Sequence, residues 1–295
     1  MLRPNPYQLT AFSHVVREGS VTDAARKLGV SQSAVTQHLQ KLEALVGGKL
    51  ITRSREGQTL TRTGQEIFEL AERHVSLERL IAERLAGYAT LDSGHLTIIA
   101  NAPVPALSLI ARFNKQWPNV QIDFTLYDWT TAIEMLRNHQ ADIALIFEPT
   151  HSTEWTIYQI GRKRYVLYVP ADHPLATRNT VSLADLSDQT LLLPEQGSLT
   201  QRVVAKALSK YNLDVRRKIK TTTFPVMKEA ILQGAGVGLF LEDSTAETHA
   251  LVSLPIDEMP ETYRNCVVVP NDKHDFRLVQ SFLSVVETRL HTDDL

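Results

Sequence analysis

Ala24-Ala25-Arg26-Lys27-Leu28-Gly29-Val30-Ser31-Gln32-Ser33-Ala34-Val35-Thr36-Gln37-His38-Leu39 reads as two short helices joined by a tight turn. Ala24, Ala25 and Leu28 form the apolar face of the first. Gly29 ends it, because glycine tolerates the left-handed backbone that a helix C-terminus requires. Ser31 is placed to cap the second helix through its hydroxyl. Ala34, Val35, Leu39 and Leu42 recur at helical spacing and face inward. Gln32, Ser33, Thr36, Gln37 and Gln40 are then left outside, all small or amide side chains able to donate to and accept from base edges. This is a helix-turn-helix pattern, whose second helix enters the DNA major groove. The plainer alternative is an αα-hairpin inside a larger core.

Charge separates the two readings. The 295-residue chain has a net charge of −2, but residues 1–64 hold nine basic against four acidic residues, a net of +5. The remainder stands at −7, with 22 basic and 29 acidic residues. A basic end on an acidic body suits a protein that docks one end on phosphates. The length suggests about two domains. With 43% hydrophobic and 22% charged residues the composition is that of a globular protein. No apolar run approaches the ~18 residues that span a bilayer, and Met1 to Pro6 lacks a signal-peptide core. A cytoplasmic location with no membrane partner is therefore expected. Cys266 is the only cysteine, which excludes an intrachain disulfide and a thiolate metal cluster. Its apolar run, Cys266-Val267-Val268-Val269, predicts a buried structural thiol.

Outward from the opening motif, Asn5 and Pro6 predict the N-cap and first position of a preceding helix. Its apolar stripe is Leu9, Phe12, Val15 and Val16, and Gly19 ends it. Ser20 or Thr22 can cap the next helix. On the other side, Lys49 to Arg53 and Thr59 to Arg62 predict a β-hairpin wing around Glu56-Gly57-Gln58. Arg53, Arg55 and Arg62, on or beside it, suit phosphate contacts, which position a protein without reading sequence. Thr63 starts a helix running to about Tyr88. Ile67, Leu70, His74, Leu77, Ile81, Arg84 and Tyr88 follow a heptad register, the mark of helices pairing along a seam. Phe68, Ala71, Val75 and Leu85 form a second stripe. His74 has no second ligand at metal-binding spacing, so no metal site is expected.

At this point the first ninety residues resemble the N-terminal pattern of LysR-type transcriptional regulators. The resemblance is carried by Leu9, Phe12, Gly19-Ser20, Ala24-Ala25, Leu28, Val30-Ser31-Gln32, Ala34-Val35, Leu39, Leu42-Glu43, Gly47, Leu50, Arg53 and Leu60-Thr61-x-Thr63-Gly64. Ser33 stands where the family often has Pro, Thr36 replaces a frequent Ser and Ile51 a frequent Phe, and Gly48 precedes the wing. These departures bear on which base pairs are read. Gln32, Ser33, Thr36, Gln37 and His38 are the expected contacts in the major groove.

Asp92-Ser93-Gly94 reads as a hinge. Beyond it, strand and helix patterns alternate: strands at 96–100, 120–126 and 142–147 with helices at 105–117 and 130–138. A second set follows, with strands at 164–169, 190–193, 217–221 and 237–240 and helices at 199–211 and 224–233. A strand at 267–269 and a helix at 276–290 close the chain. Repeated βαβ units predict a mostly parallel sheet covered by helices. The resemblance continues through Phe113-x-x-x-Trp117-Pro118-x-Val120, Asp142-Ile143-Ala144-Leu145, Asp172-His173-Pro174-Leu175-Ala176 and Gly234-Ala235-Gly236-Val237-Gly238. It implies an α/β fold: an N-terminal winged helix-turn-helix (1–63), a linker and dimerisation helix (64–91), and a two-lobed effector domain like the periplasmic binding proteins (92–295). Lobe one would be 92–162 with 270–295, and lobe two 163–269.

The glycine-rich turn follows a helix and precedes a strand, the reverse of a phosphate cradle. Asp172-His173 lacks the partner residues of a catalytic site. Neither an enzyme nor a cofactor is expected. The effector cleft is sought at strand C-terminal ends, where open α/β sheets bind ligands. Asn101, Ala102, Pro103 and Val104 follow the first strand. Ser198 and Thr200 open one helix, in a segment that resembles the family's Gly-Ser-x-Thr cleft motif, and Thr223 and Phe224 open another. Trp129, Thr130 and Phe147 lie at neighbouring strand ends. Hydroxyls at helix N-termini suit a small anionic ligand, although the first loop lacks the hydroxyl the family often has there. The expected partners are double-stranded DNA, a small effector and further copies of the chain as a homodimer or homotetramer. RNA polymerase is left open as another. The rivals are a bilobal enzyme or solute-binding protein with an accessory domain, and an architectural DNA binder without a ligand.

Overall fold

The computed structural model describes residues 3–54, 57–85, 94–194, 198–245 and 249–293, the side chains of 53, 54, 57, 83, 84 and 289–293 excepted. The chain divides into two compact units, the first about residues 1–90 and the second most of the remainder.

The first unit is α1 (Pro6–Glu18), α2 (Val21–Leu28), α3 (Gln32–Val46), a hairpin of β1 (Ile51–Ser54) and β2 (Gly57–Leu60), and α4 (Arg62–Leu85). Local chemistry sets the boundaries. Asn5 caps α1 in a reciprocal box with Gln8, Ser20 accepts from the Asp23 N–H at 3.0 Å, and Ser31 accepts from the Ala34 N–H at 3.2 Å. Gly29 ends α2 at φ 66°. Thr61 caps α4, accepting from the Gly64 N–H at 2.9 Å and donating to the Lys49 carbonyl at 2.9 Å. A Cβ on Gly64 would lie 2.0 Å from the Leu50 carbonyl oxygen, so only glycine lets α4 start against the wing.

Phe12, Leu42, Leu50, Phe68 and Ala71 form the core joining α1, α3, the wing and α4. Phe12 and Phe68 meet edge to face at 6.3 Å, both fully buried. Each contributes about 1.5–3 kcal/mol of burial. Glu72, also fully buried, accepts from Ser13 and Arg17 and pins α4 to α1. The return strand ends at Leu60 and Arg62 already belongs to α4, so Arg62 sits on the helix start beside the wing. The expected end of the helix at Tyr88, and Arg55, lie outside the described residues, as does the Arg53 side chain.

In the second unit β3 (Gly94–Ala100), α5 (Pro103–Gln116), β4 (Val120–Leu126), α6 (Trp129–Arg137) and β5 (Ile143–Phe147) build one lobe. The long β6 (Trp155–Pro170) leads to the other: β7 (Thr190–Leu193), α7 (Leu199–Lys210), β8 (Arg217–Lys220), α8 (Phe224–Leu232), β9 (Val237–Leu241) and β10 (Leu251–Pro255). The chain returns through β11 (Thr262–Pro270) and ends in α9 (Arg277–Asp293), where Phe282 packs on Phe113 of α5.

Strand order is β4-β3-β5-β11-β6-β9-β7-β8, with β10 also on β6. β3 is parallel to β4 and β5, and β7 to β8 and β9, whereas β6 and β11 pair antiparallel with their neighbours. The sheet is therefore mixed, two parallel sets joined by antiparallel crossing strands. Cys266 to Val268 pair with β5, and Cys266 and Val268 sit in the first lobe's core with Ile99, Ile146 and Trp155. These residues of β11 thus pack with the strands of the first lobe. Burial pushes the Cys266 thiol up to about 11, which leaves it inert. Gly236 approaches Thr190 so closely that a Cβ would stand 2.2 Å from its carbonyl oxygen, a packing reason for the glycine-rich turn. His173 accepts from the Leu175 N–H at 3.2 Å, an ordinary turn cap.

An ion pair clamps the crossing. Glu148, just past β5 at φ 44°, accepts from the Arg264 N–H at 2.6 Å and from its guanidinium at 3.0 and 3.1 Å. Burial opposes the charge on Glu148, but the backbone and side-chain hydrogen bonds from Arg264 prevail and hold its carboxyl below the usual range.

Candidate functional site

Two surfaces carry chemistry. On α3, Gln32, Ser33, Gln37 and Gln40 are exposed and Thr36 is half-buried. Helical spacing puts all five on one face, opposite the packed Val35 and Leu42. Ser33 shares a hydrogen bond with the cap hydroxyl of Ser31 at 2.9 Å, and the Thr36 hydroxyl donates to the Gln32 carbonyl at 2.8 Å. The two glutamine amides and Gln40 remain as extended donor–acceptor groups, the type that reads adenine bidentately. His38 departs from this face. It lies against Tyr7 of α1, ring centroids 6.3 Å apart, because position 38 turns toward α1 when 32 and 36 turn outward. Arg26 and Lys27 are exposed at the end of α2, and Arg62 is exposed with a loose 3.4 Å pairing to Glu66. The face is neutral and amide-rich with cations nearby, which suits base edges and phosphates.

The second surface is a cleft between the lobes of the C-terminal unit. Asn101, Trp129, Ser198, Thr200 and Thr223 line it, together with Tyr127, Asp128, Tyr165, Leu199, Thr222 and Phe240. The N-termini of α7 and α8 open onto it, and the start of α6 faces them. Helix starts carry backbone N–H groups without intrahelical partners and a partial positive charge. Ser198 caps α7 by accepting from the Gln201 N–H at 3.2 Å, while Thr223 at the start of α8 makes no side-chain cap bond. Ser198 and Thr200 are buried, and the Thr200 hydroxyl bonds the buried Tyr165 hydroxyl at 3.0 Å. Burial raises the Tyr165 pKa, so this phenol stays protonated. Asp128 caps α6, accepting from the Thr131 N–H at 2.8 Å and its hydroxyl at 2.7 Å. The water-accessible space inside is about 20 Å³, room for a single water.

Several expected cleft residues stand behind the lining instead. Ala102 is buried, and Pro103 and Val104 begin α5 outside the lining. Phe147 is buried; its carbonyl accepts from the Trp129 indole at 2.9 Å and its N–H donates to the Asn101 side chain at 3.3 Å. Phe224 packs in the core between Tyr168 and Phe240, 4.9 Å from each. Thr130 is exposed on the first turn of α6. In a short segment at a helix start, sequence does not say which of two neighbours turns toward the cleft and which toward the core. The sequence places Arg202 in the candidate cleft segment 196–202 without a role of its own, and it gives Tyr165 only a place in a strand. Arg202 lies four residues after Ser198, on the same side of α7, and its guanidinium sits 4.7 Å from the Trp129 ring centre. That i, i+4 spacing is the signal that points to it.

Comparison with known proteins follows the same division. The family model for the LysR substrate binding domain matches residues 89–290, and that for the lysR-family bacterial regulatory helix-turn-helix protein matches residues 6–65. A RuBisCO operon transcriptional regulator of Allochromatium vinosum is 28% identical over 259 residues, 86% of each chain. Among solved structures, full-length OxyR from Pseudomonas aeruginosa aligns with a TM-score of 0.77 at 18% identity, covering 97% of this chain and 96% of that one. The regulatory domain of Synechocystis CcmR, solved in complex with 2-PG, aligns at 0.58 and 22% identity over 66% of this chain and 96% of its own. No helix among the described residues is long and apolar enough to cross a membrane. With both family models matched in order and the two surfaces in place, the chain belongs to the LysR family of transcriptional regulators, a DNA-binding protein with an effector-binding domain and not an enzyme.

Proposed function

We propose that this regulator works in the cytoplasm as a homodimer or homotetramer, with residues 1–63 on DNA, 64–91 joining subunits, and 92–295 sensing a small anion between its lobes. Gln32, Ser33, Thr36 and Gln37 would contact base edges, and Arg53, Arg55 and Arg62 phosphates. His38, turned to Tyr7, is left a supporting place. Pairing of subunits is supported by Leu70, Leu77 and Ile81, apolar side chains about half exposed along α4. Effector occupancy would alter the lobe angle and hence operator affinity or spacing, and RNA polymerase is the partner through which a bound regulator would act.

One observation carries the anion reading: two helix N-termini and the buried hydroxyls of Ser198 and Thr200 face one cleft. The related fold of CcmR holding 2-PG is in keeping with it. The full-length protein is melted against a panel of small carboxylates and phosphates that includes 2-phosphoglycolate. At least one is expected to raise Tm, the rise growing with the logarithm of its concentration above Kd. Thr223→Val keeps shape and disturbs no cap bond, so it should leave the unliganded Tm nearly unchanged. It should weaken the stabilising ligand by about 1.5–3 kcal/mol, the worth of a hydrogen bond to a charged group. A panel of anions with no effect on Tm, or equal shifts in the variant, would count against the assignment.

A further inference from the structure

We propose that Arg202 is the counter-ion of the effector's anionic group, held on Trp129 until the effector arrives. The proposal rests on the anion reading of the cleft and asks what balances the charge. Among the described lining residues Asp128 alone is formally charged, and it is negative. An oxyanion brought beside that carboxylate gains from a nearby cation, which offsets the like charge that helix N–H and hydroxyl donors only partly compensate.

The nearby cations are otherwise engaged. Arg264 is clamped to Glu148, and Lys228 donates to the Thr245 hydroxyl at 2.8 Å. Arg202 has no carboxylate partner among the described residues. Its guanidinium stacks on Trp129 at 4.7 Å, and that indole is itself a wall of the cleft, fixed by its 2.9 Å hydrogen bond to the Phe147 carbonyl. Arg202 is exposed and one turn beyond Ser198, so its side chain can turn toward the start of α7 without disturbing the core.

A solvent-exposed cation–π contact is weak, whereas a guanidinium fork on a carboxylate or phosphate makes two charge-assisted hydrogen bonds. The exchange therefore favours the ligand. It also releases a contact that joins α7 of one lobe to α6 of the other, which ties occupancy to the lobe angle. The effector class that follows is a small molecule presenting two oxygens of one carboxylate or phosphate group.

The test uses the full-length protein with 2-phosphoglycolate and inorganic phosphate as probes, followed by calorimetry and tryptophan emission. Arg202→Ala should weaken binding at least tenfold, and Arg202→Lys should fall between the two, since it keeps charge but loses the fork. Emission should change on binding in the natural protein and not in Arg202→Ala. The unliganded melting curve checks that the variants fold. Equal affinity in Arg202→Ala and the natural protein would overturn the role of Arg202 while leaving the anion cleft standing. Failure of both probes to bind the natural protein would overturn the anion reading and this proposal with it.

Discussion

In the proposed DNA-bound arrangement, Gln32 would read a base and Arg62 would hold a phosphate. Both are exposed, one in the first turn of α3 and the other in the first turn of α4. Gln32→Ala should cost about 1–3 kcal/mol on the preferred site and little on other DNA, relaxing preference at one base pair. Arg62→Ala should weaken binding to every sequence and reduce the salt slope by about 1. Titrations on matched and scrambled duplexes at several salt concentrations separate the two, and an unchanged preference in Gln32→Ala removes that residue from the reading face. At this scale the caps are legible in the sequence. Asn5, Ser20 and Ser31 act on backbone groups two or three residues away. His38, Phe147 and Phe224 are not, because their direction depends on Tyr7, Trp129 and Tyr168, partners far along the chain.

Helix α4 carries one buried face and one exposed apolar stripe. Phe68, Ala71 and Glu72 are fully buried against the first unit, while Leu70, Leu77 and Ile81 stand about half exposed on another side. Both stripes are visible as periodicity because α4 is long, although His74 and Arg84 are polar breaks in the heptad stripe. An isolated exposed leucine needs no explanation, but three apolar residues at heptad positions on one helix support the proposed subunit seam. Replacing Leu77 and Ile81 together by Glu should shift the protein to monomers in sedimentation equilibrium without lowering its helicity. An unchanged oligomer would place the seam elsewhere. Strand β6 was harder to read. Only its second half, near Tyr165 to Val169, has a strand-like apolar run. The first half is interrupted by Gly161 and by the cations Arg162, Lys163 and Arg164, and it is held in the sheet by pairing with β11. The same long-range pairing puts Cys266 in the first lobe, which a local pattern cannot show.

On the scale of the whole molecule, the charge division is the feature most directly tied to function. A +5 segment carries the amide-rich face, and a −7 remainder carries the cleft. The fold class is legible because helix-turn-helix spacing and repeated βαβ units are local patterns in series. The Arg202–Trp129 contact is not, since it joins residues 73 positions apart. The central claim, a sequence-reading end answering to a ligand-sensing body, predicts that DNA preference and ligand are linked. The direct measurement is fluorescence anisotropy of the full-length protein on duplex from its own upstream region and on a scrambled duplex of equal composition. It is run at ionic strength of about 0.15 M, with and without the anion that raises Tm most. The account predicts a preference of about a thousandfold or more for the upstream duplex, changed several-fold by the anion. Equal affinity for the two duplexes would contradict it.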